Sequence, residues 1–213
     1  LVLCPTRELA DQVGKEIRRL ARATSNIKLV LLCGGKPFGP QVGSLEHGAH
    51  IVVGTPGRIQ DHLRKSTLKL DGLTTLVLDE ADRMLDMGFI DVMQEIIEQT
   101  PSSRQTLLFS ATYPDTIQHI SKRFQKKPLM VTVESAHQPN VIEQLFYEVK
   151  KHERNNSLLA LFEHYQPEST VVFCHTKKQC DEVAVWLREH QIEALAIHGD
   201  LDQRERDQVL VRF

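Results

Sequence analysis

Short apolar runs, each closing on small, hydroxylic or charged residues and each followed by an amphipathic stretch, set the tightest limit on how this chain folds. The first half holds five of them, at residues 1–4, 27–33, 51–53, 76–78 and 106–109. Between them apolar residues recur at helical spacing, as in Leu9, Val13, Ile17 and Leu20, or Phe89, Met93, Ile96 and Ile97. That spacing gathers side chains on one helix face. Short apolar strands alternating with such helices predict βαβ units and a parallel sheet, an α/β fold.

The second half repeats the rhythm. Strands are expected at residues 142–149, 170–174 and 194–197, with helices at 157–165, 179–189 and from Gln203 onward. Between the halves, the stretch from Glu134 to Asn140 is polar, contains Pro139 and has no period, which reads as a linker. The expected organisation is one α/β domain over residues 1–136, a linker over 137–141 and a second α/β domain over 142–213, a division that suits 213 residues. Leu1 already lies inside an apolar run, and residues 206–213 lie inside a helical pattern without a stop signal. Both domains are therefore expected to be truncated pieces of a longer chain.

With 41% apolar and 25% charged residues the composition is that of a globular protein. No stretch approaches the roughly 20 apolar residues that cross a bilayer, and no leader pattern opens the chain, so a cytoplasmic, membrane-free protein is expected. A net charge of -2 leaves no polybasic tail, so a nucleic-acid partner would be held by a local surface. Cys4, Cys33, Cys174 and Cys180 lack C-x-x-C spacing and read as reduced core thiols. His47 and His50 lie three apart, but no acidic or Cys partners complete a ligand set, and they read as solvated loop residues.

The strand ends carry the chemistry. They read Pro5-Thr6-Arg7-Glu8, Gly34-Gly35, Thr55-Pro56-Gly57-Arg58, Asp79-Glu80-Ala81-Asp82 and Ser110-Ala111-Thr112, with His175-Thr176 and His198-Gly199-Asp200 in the second half. Each alone suits a turn. Together they describe one polar rim, because ligands of open α/β sheets bind outside the carboxyl ends of the strands. Gly34, Gly35 and Gly57 let backbone N–H groups approach an anion, and helix starts after Thr6 and Gly57 add unsatisfied donors. Phosphates suit such a rim, and Arg7 and Arg58 are able to pair with phosphate oxygens. Asp79 suits Mg²⁺, while Glu80 suits the orientation or deprotonation of a water.

The ordered set PTRELA from Pro5, Gly34-Gly35, TPGR from Thr55, DEAD from Asp79 and SAT from Ser110 resembles the motifs of the DEAD-box RNA helicases. VVFCHT, ending at Thr176, and the pair Gln203 and Arg206 resemble the family's fourth motif and its Q-x-x-R element, so the likeness spans nearly the whole chain. It implies two RecA-like domains, each a parallel sheet flanked by helices, and ATP and Mg²⁺ as cofactors. By the resemblance, Asp79 binds Mg²⁺ through water, Glu80 activates the hydrolytic water, and Asp82 links them to Ser110 and Thr112. Thr6, Arg7, Gly35, Thr55, Gly57 and Arg58 would hold RNA from the first domain; Thr176, Gln203 and Arg206 would hold it from the second. Contacts to phosphate and sugar carry little base information, so binding independent of RNA sequence follows. The implied action is local unwinding by a monomer, with the two domains closing on one strand and bending it. Runs such as LCGGKPFG and HGDLDQRERDQVLVRF resemble the branch acting on large-subunit ribosomal RNA.

The departures matter as well. No G-x-x-x-x-G-K-[ST] occurs, and Gly35-Lys36 runs into Pro37, which has no hydroxyl for Mg²⁺. The phosphate-cradling loop is expected upstream and the arginine-finger motif downstream; that finger is worth roughly 10³ to 10⁵ in rate in related phosphoryl transfer. The chain alone is therefore expected to be inactive as an ATPase. His175 stands where the family more often has Asn or Arg. A non-catalytic RNA clamp is a rival, opposed by the paired acids, which repel phosphate unless a metal intervenes. A dinucleotide enzyme is opposed by the absence of G-x-G-x-x-G. A DNA helicase is closer kin, but DEAD with SAT resembles the RNA-acting branch more.

Overall fold

A computed structural model of the chain describes residues 1–133 and 142–213, so the expected linker lies outside the described residues. The chain divides into two compact units, Leu1–Val131 and Thr132–Phe213. In the first, β1 (Val2–Leu3), β2 (Leu29–Leu32), β3 (Ile51–Gly54), β4 (Thr75–Leu78) and β5 (Gln105–Leu108) form one sheet. Every pairing in it is parallel and the spatial order is β2-β3-β1-β4-β5. Register places Leu3 level with Gly54 on one side and with Leu78 on the other, so the shortest strand is the centre.

Six helices of this unit follow the strands: α1 (Arg7–Leu20), α2 (Phe38–Glu46), α3 (Pro56–Arg64), α4 (Ala81–Asp86), α5 (Ile90–Glu98) and α6 (Asp115–Phe124). The pleat sorts side chains between two clusters. Leu1, Leu3, Val30, Leu32, Leu76 and Leu78 pack with Ile59, Met84, Met93, Ile96 and Ile117 from α3 to α6. Val2, Cys4, Cys33 and Val53 face the other way, onto Leu9, Ala10, Val13 and Ile17 of α1. The expected apolar face of α1 ends at Ile17. Leu20 is 75% exposed, because the helix stops there and a 3₁₀ turn carries the chain away. Cys4 and Cys33 are buried, while Cys174 and Cys180 are only half-buried.

α2 and α6 were not legible from the sequence. Gly39, Pro40 and Gly43 dilute the helical signal in α2. α4 and α5 are separated at Gly88, whose φ of +76° is the left-handed conformation that glycine adopts without strain.

In the second unit the helices are α7 (Arg154–Tyr165), α8 (Lys177–Glu189) and α9 (Gln203–Arg212). The three strands expected at 142–149, 170–174 and 194–197 join no ladder among the described residues. Exposure alternates along the last two, and their outward side chains Val171, Phe173, Leu195 and Ile197 stay open, Phe173 by 95%. Parallel strands hold when both faces are covered, and here only the α8 side has buried residues, Val183, Ala184 and Leu187. Among the described residues no helix is long and apolar enough to cross a membrane.

Gly54 marks the tightest point of the sheet: a Cβ there would lie 2.3 Å from the Leu32 carbonyl oxygen and 2.9 Å from Ile59 Cδ1. Gly54→Ala must push β2 from β3, and urea denaturation should show a loss of about 3 kcal/mol or more, the upper end of overpacking costs.

Candidate functional site

Because every strand pair is parallel, the loops that follow the five strands leave the sheet at one end. The strand order arranges them as Gly34-Gly35, Thr55 to Arg58, Pro5 to Glu8, Asp79 to Asp82 and Ser110 to Thr112. The phosphate-binding candidates thus occupy one side of β1 and the acids the other.

The acidic loop is strained and tied down. Glu80 has φ +48° and ψ +54°, the left-handed region that a non-glycine residue enters at a cost of about 1–2 kcal/mol. Three backbone bonds hold it there: Asp79 N–H donates to Leu3 O at 3.0 Å, Ala81 N–H to Phe109 O at 3.0 Å, and Met84 N–H to Glu80 O at 3.0 Å. Asp79 Oδ1 accepts the Glu80 N–H at 3.1 Å. Strain held by surrounding structure is typical of functional sites.

Asp82 joins this loop to the one after β5. Its Oδ2 accepts the Thr112 N–H at 3.0 Å and the Thr112 hydroxyl at 2.9 Å, and its Oδ1 accepts the Arg83 N–H at 3.0 Å. Burial pushes the Asp82 carboxyl up; the Thr112, Arg83 and Ser110 donors outweigh it and hold the group below the usual range. The Ser110 hydroxyl contributes from nearby without a hydrogen bond of regular geometry. A cleft of ≈ 480 Å³ opens beside these residues, lined by Thr6, Gln12, Glu80, Asp82, Arg83 and Ala111 among others.

The field on this side is negative. Burial, then the charges of Asp79, Cys33 and Glu80, push the Cys4 thiol up to about 12. A cation fits beside such a pair. Among the described residues no group of three or more His, Cys, Asp or Glu side chains is arranged to enclose a metal. An ion at Asp79 would therefore take one or two carboxylates and keep several waters, which matches the habit of Mg²⁺.

On the other side of β1 the geometry changes two expectations. A Cβ on Gly35 would lie 2.1 Å from Arg7 Nη1, and one on Gly34 would lie 3.4 Å from Arg7 Nη2. The glycine pair makes room for the Arg7 guanidinium, so an anion approaching Gly35 meets that cation as well as the backbone. Arg58 is a strut more than an open phosphate fork. Its side chain is 13% exposed, its Nη1 donates to Lys36 O at 3.0 Å, and its Nε lies 3.6 Å from Asp61 Oδ2. Bidentate phosphate pairing would require it to leave these partners. α3 also starts earlier than expected, with Thr55 as N-cap and Pro56 at its first position, which sets Gly57 in the first turn among the unsatisfied N–H groups. A Cβ on Gly57 would meet nothing within 4 Å, so the fold itself does not require a glycine there. Thr6 caps α1, its Oγ1 accepting the Leu9 N–H at 3.2 Å, whereas Thr55 makes no such cap bond.

In the second unit Thr176 caps α8, accepting the Gln179 N–H at 3.1 Å. Lys177 pairs with Asp200, which draws the loop before α8 to the loop before α9. Arg206 Nη2 donates to Gln203 Oε1 at 2.7 Å, and Gln203 Nε2 to Asp207 Oδ1 at 2.9 Å, so the two predicted residues form one chain of contacts along α9. Gln41, which bonds to carbonyls of the 33–37 segment, and the stacked pair Phe38 and His62 were not singled out from sequence. Their only signal was position, just beyond motifs that were.

The DEAD/DEAH box helicase family matches residues 1–120, and the helicase conserved C-terminal domain matches residues 150–213. The chain belongs to the DEAD/DEAH box helicase family, and its α/β architecture is of the RecA-like kind. It is 56% identical over 213 residues to the ATP-dependent RNA helicase DbpA of Escherichia coli and 44% identical over 214 residues to the ATP-dependent RNA helicase CshA of Listeria monocytogenes. All of the chain is aligned in both cases, against 47% and 41% of those proteins, so it spans about half the length or less of these curated relatives. The crystal structure of a DEAD box protein from the hyperthermophile Methanococcus jannaschii matches with a TM-score of 0.59 and 40% identity, over 99% of this chain and 56% of that one.

The Asp82 carboxylate is stabilised in its ionised form, so its contribution is complete above its ordinary value of 3.8 and is lost as pH falls through the lower folded value. A carbon-detected NMR titration should place the Asp82 midpoint below 3.8, and Thr112→Val should move it upward.

Proposed function

We propose that the protein is an ATP-dependent RNA helicase that locally separates RNA duplexes. The observation that carries this reading is the strained Glu80 turn and its link through Asp82 to Thr112, at one rim with the backbone amides of Gly35 and Gly57. Asp79 would hold Mg²⁺ through water, and Mg²⁺ would supply charge neutralisation for the ATP phosphates. Glu80 orients and deprotonates the attacking water. Asp82, Ser110 and Thr112 tie the nucleotide side of the rim to the loop after β5. Thr6, Arg7, Gly35, Thr55, Gly57 and Arg58 hold the RNA backbone in the first domain, residues 1–136. Thr176, Gln203 and Arg206 do so in the second, residues 142–213, with residues 137–141 as the linker.

The likeness to DbpA, together with the LCGGKPFG and HGDLDQRERDQVLVRF runs, supports RNA of the large ribosomal subunit as the substrate and a role in ribosome biogenesis. That work would be done in the cytoplasm by a monomer. A phosphate-cradling G-x-x-x-x-G-K-[ST] loop is absent from these 213 residues, which supports their being inactive as an ATPase by themselves.

The testing experiment is RNA-stimulated ATPase activity of the full-length protein, comparing a large-subunit ribosomal fragment with an unrelated RNA of equal length at fixed salt. Stronger stimulation by the ribosomal fragment is expected; equal stimulation removes that substrate, and none by either removes the helicase reading in favour of an RNA clamp. Glu80→Gln should keep ATP and RNA binding while lowering turnover by roughly 10² to 10⁴, the worth of a positioned base. Gly57→Ala should change stability by no more than about 0.5 kcal/mol yet weaken RNA binding about tenfold, since its Cβ meets only an incoming ligand. In a malachite-green assay, the 213 residues alone should release no phosphate above background with RNA and ATP.

A further inference from the structure

The 34–37 loop connects β2 to α2, and side chains outside the motifs brace it from two sides. Gln41, in the first turns of α2, is only 7% exposed. Its Nε2 donates to Cys33 O at 3.1 Å, to Pro37 O at 3.2 Å and to Lys36 O at 3.4 Å. From α3, Arg58 Nη1 donates to the same Lys36 carbonyl at 3.0 Å. One carbonyl of the loop is thus gripped by two helices.

Phe38 closes the brace. Its ring stacks on the imidazole of His62, with centroids 4.2 Å apart and planes 16° from parallel. His62 is fully buried, and its Nδ1 lies 2.8 Å from the Thr67 hydroxyl, which fixes the imidazole as a platform. Two cations lie over the Phe38 ring: Lys65 Nζ at 4.2 Å from the centroid and the Arg58 guanidinium carbon at 5.5 Å. An aromatic face attracts such groups, so the ring restrains Arg58 in addition to the Lys36 carbonyl.

We propose that Gln41 and Phe38 are positioning residues for RNA binding, which hold the 34–37 loop and Arg58 as one preformed edge. The inference rests on the RNA-binding reading of Gly35, Gly57 and Arg58 given above. A loop ordered before binding does not lose its freedom on binding, so affinity is higher than for a loop that must be ordered by the ligand. Neither residue belongs to the catalytic acids or to the RNA-holding residues assigned above. Their loss therefore appears in the RNA dissociation constant and not in turnover at saturating RNA, whereas a purely structural role would lower the melting temperature and the active fraction and leave that constant unchanged.

The test measures the dissociation constant of a fluorescent single-stranded oligoribonucleotide for the full-length protein by anisotropy, with kcat of ATP hydrolysis at saturating RNA and the melting temperature alongside. Gln41→Met and Phe38→Leu should each raise the dissociation constant about fivefold to twentyfold with kcat within about twofold of the parent. Phe38→Tyr, which keeps the ring face, should bind as the parent does. Arg7→Ala serves as the reference for the RNA face itself. If Arg7→Ala weakens binding while Phe38→Leu and Gln41→Met bind normally, or lose only kcat and melting temperature, the positioning role is overturned. If Arg7→Ala also binds normally, the RNA reading of these loops falls and the inference falls with it. Should Gln41→Met fail to fold, Phe38→Leu against Phe38→Tyr decides the question.

Discussion

Parallel pairing on both sides of β1 is the constraint from which the rest of the first unit follows. A two-residue strand forms few hydrogen bonds, yet it carries β3 on one flank and β4 on the other. It holds because Leu3 and Cys4 are wholly buried and both faces of the sheet are covered. Burying a leucine of this kind stabilises by about 1.5–3 kcal/mol, and Leu3, Leu32, Leu76 and Leu78 are all buried in one cluster. Parallel direction then sends every following loop to the same end. The site is a consequence of that direction, since loops separated by up to a hundred residues in the chain have no other means of meeting.

Strand order also separates charge. The acids follow β4, one position to one side of β1, while Arg7 leans on Gly34-Gly35 after β2, on the other side. Cys4 lies at the end of the central strand, where burial above all, and then the charge of Asp79, raise its thiol. A rim with a cation-seeking half and an anion-seeking half is what a metal–nucleotide complex and a phosphate backbone each require. Thr6, after β1, and Glu80, after β4, line one cleft, while Asp82 ties the β4 loop to Thr112 after β5.

Local strain and local bracing divide the work between them. Glu80 is held in an unfavourable backbone conformation by bonds to β1 and to the residue after β5, so its loop depends on the sheet being intact. The 34–37 loop is instead held by side chains of α2 and α3. Surface pairs add little to either. Glu95 of α5 accepts from Gln60 and Arg64 of α3, but at exposed positions, where solvent screens such pairs.

The sequence by itself determined the parallel α/β class of the first unit, the positions of its five strands and the family, because strand periodicity and the DEAD, PTRELA, TPGR and SAT runs are local properties. It did not reveal α2, where glycine and proline hide the helical period, nor that the strand-like runs of the second unit join no ladder, because a ladder depends on cover that neighbouring residues in the chain do not provide. Tertiary structure alone decided which loops are neighbours, that Gly35 gives its space to Arg7, that Arg58 braces the Lys36 carbonyl, and that Gln41 and Phe38 contact Cys33 and Arg58. Residue types and spacing state what a side chain is able to do; only packing between distant segments decides which of its partners it meets.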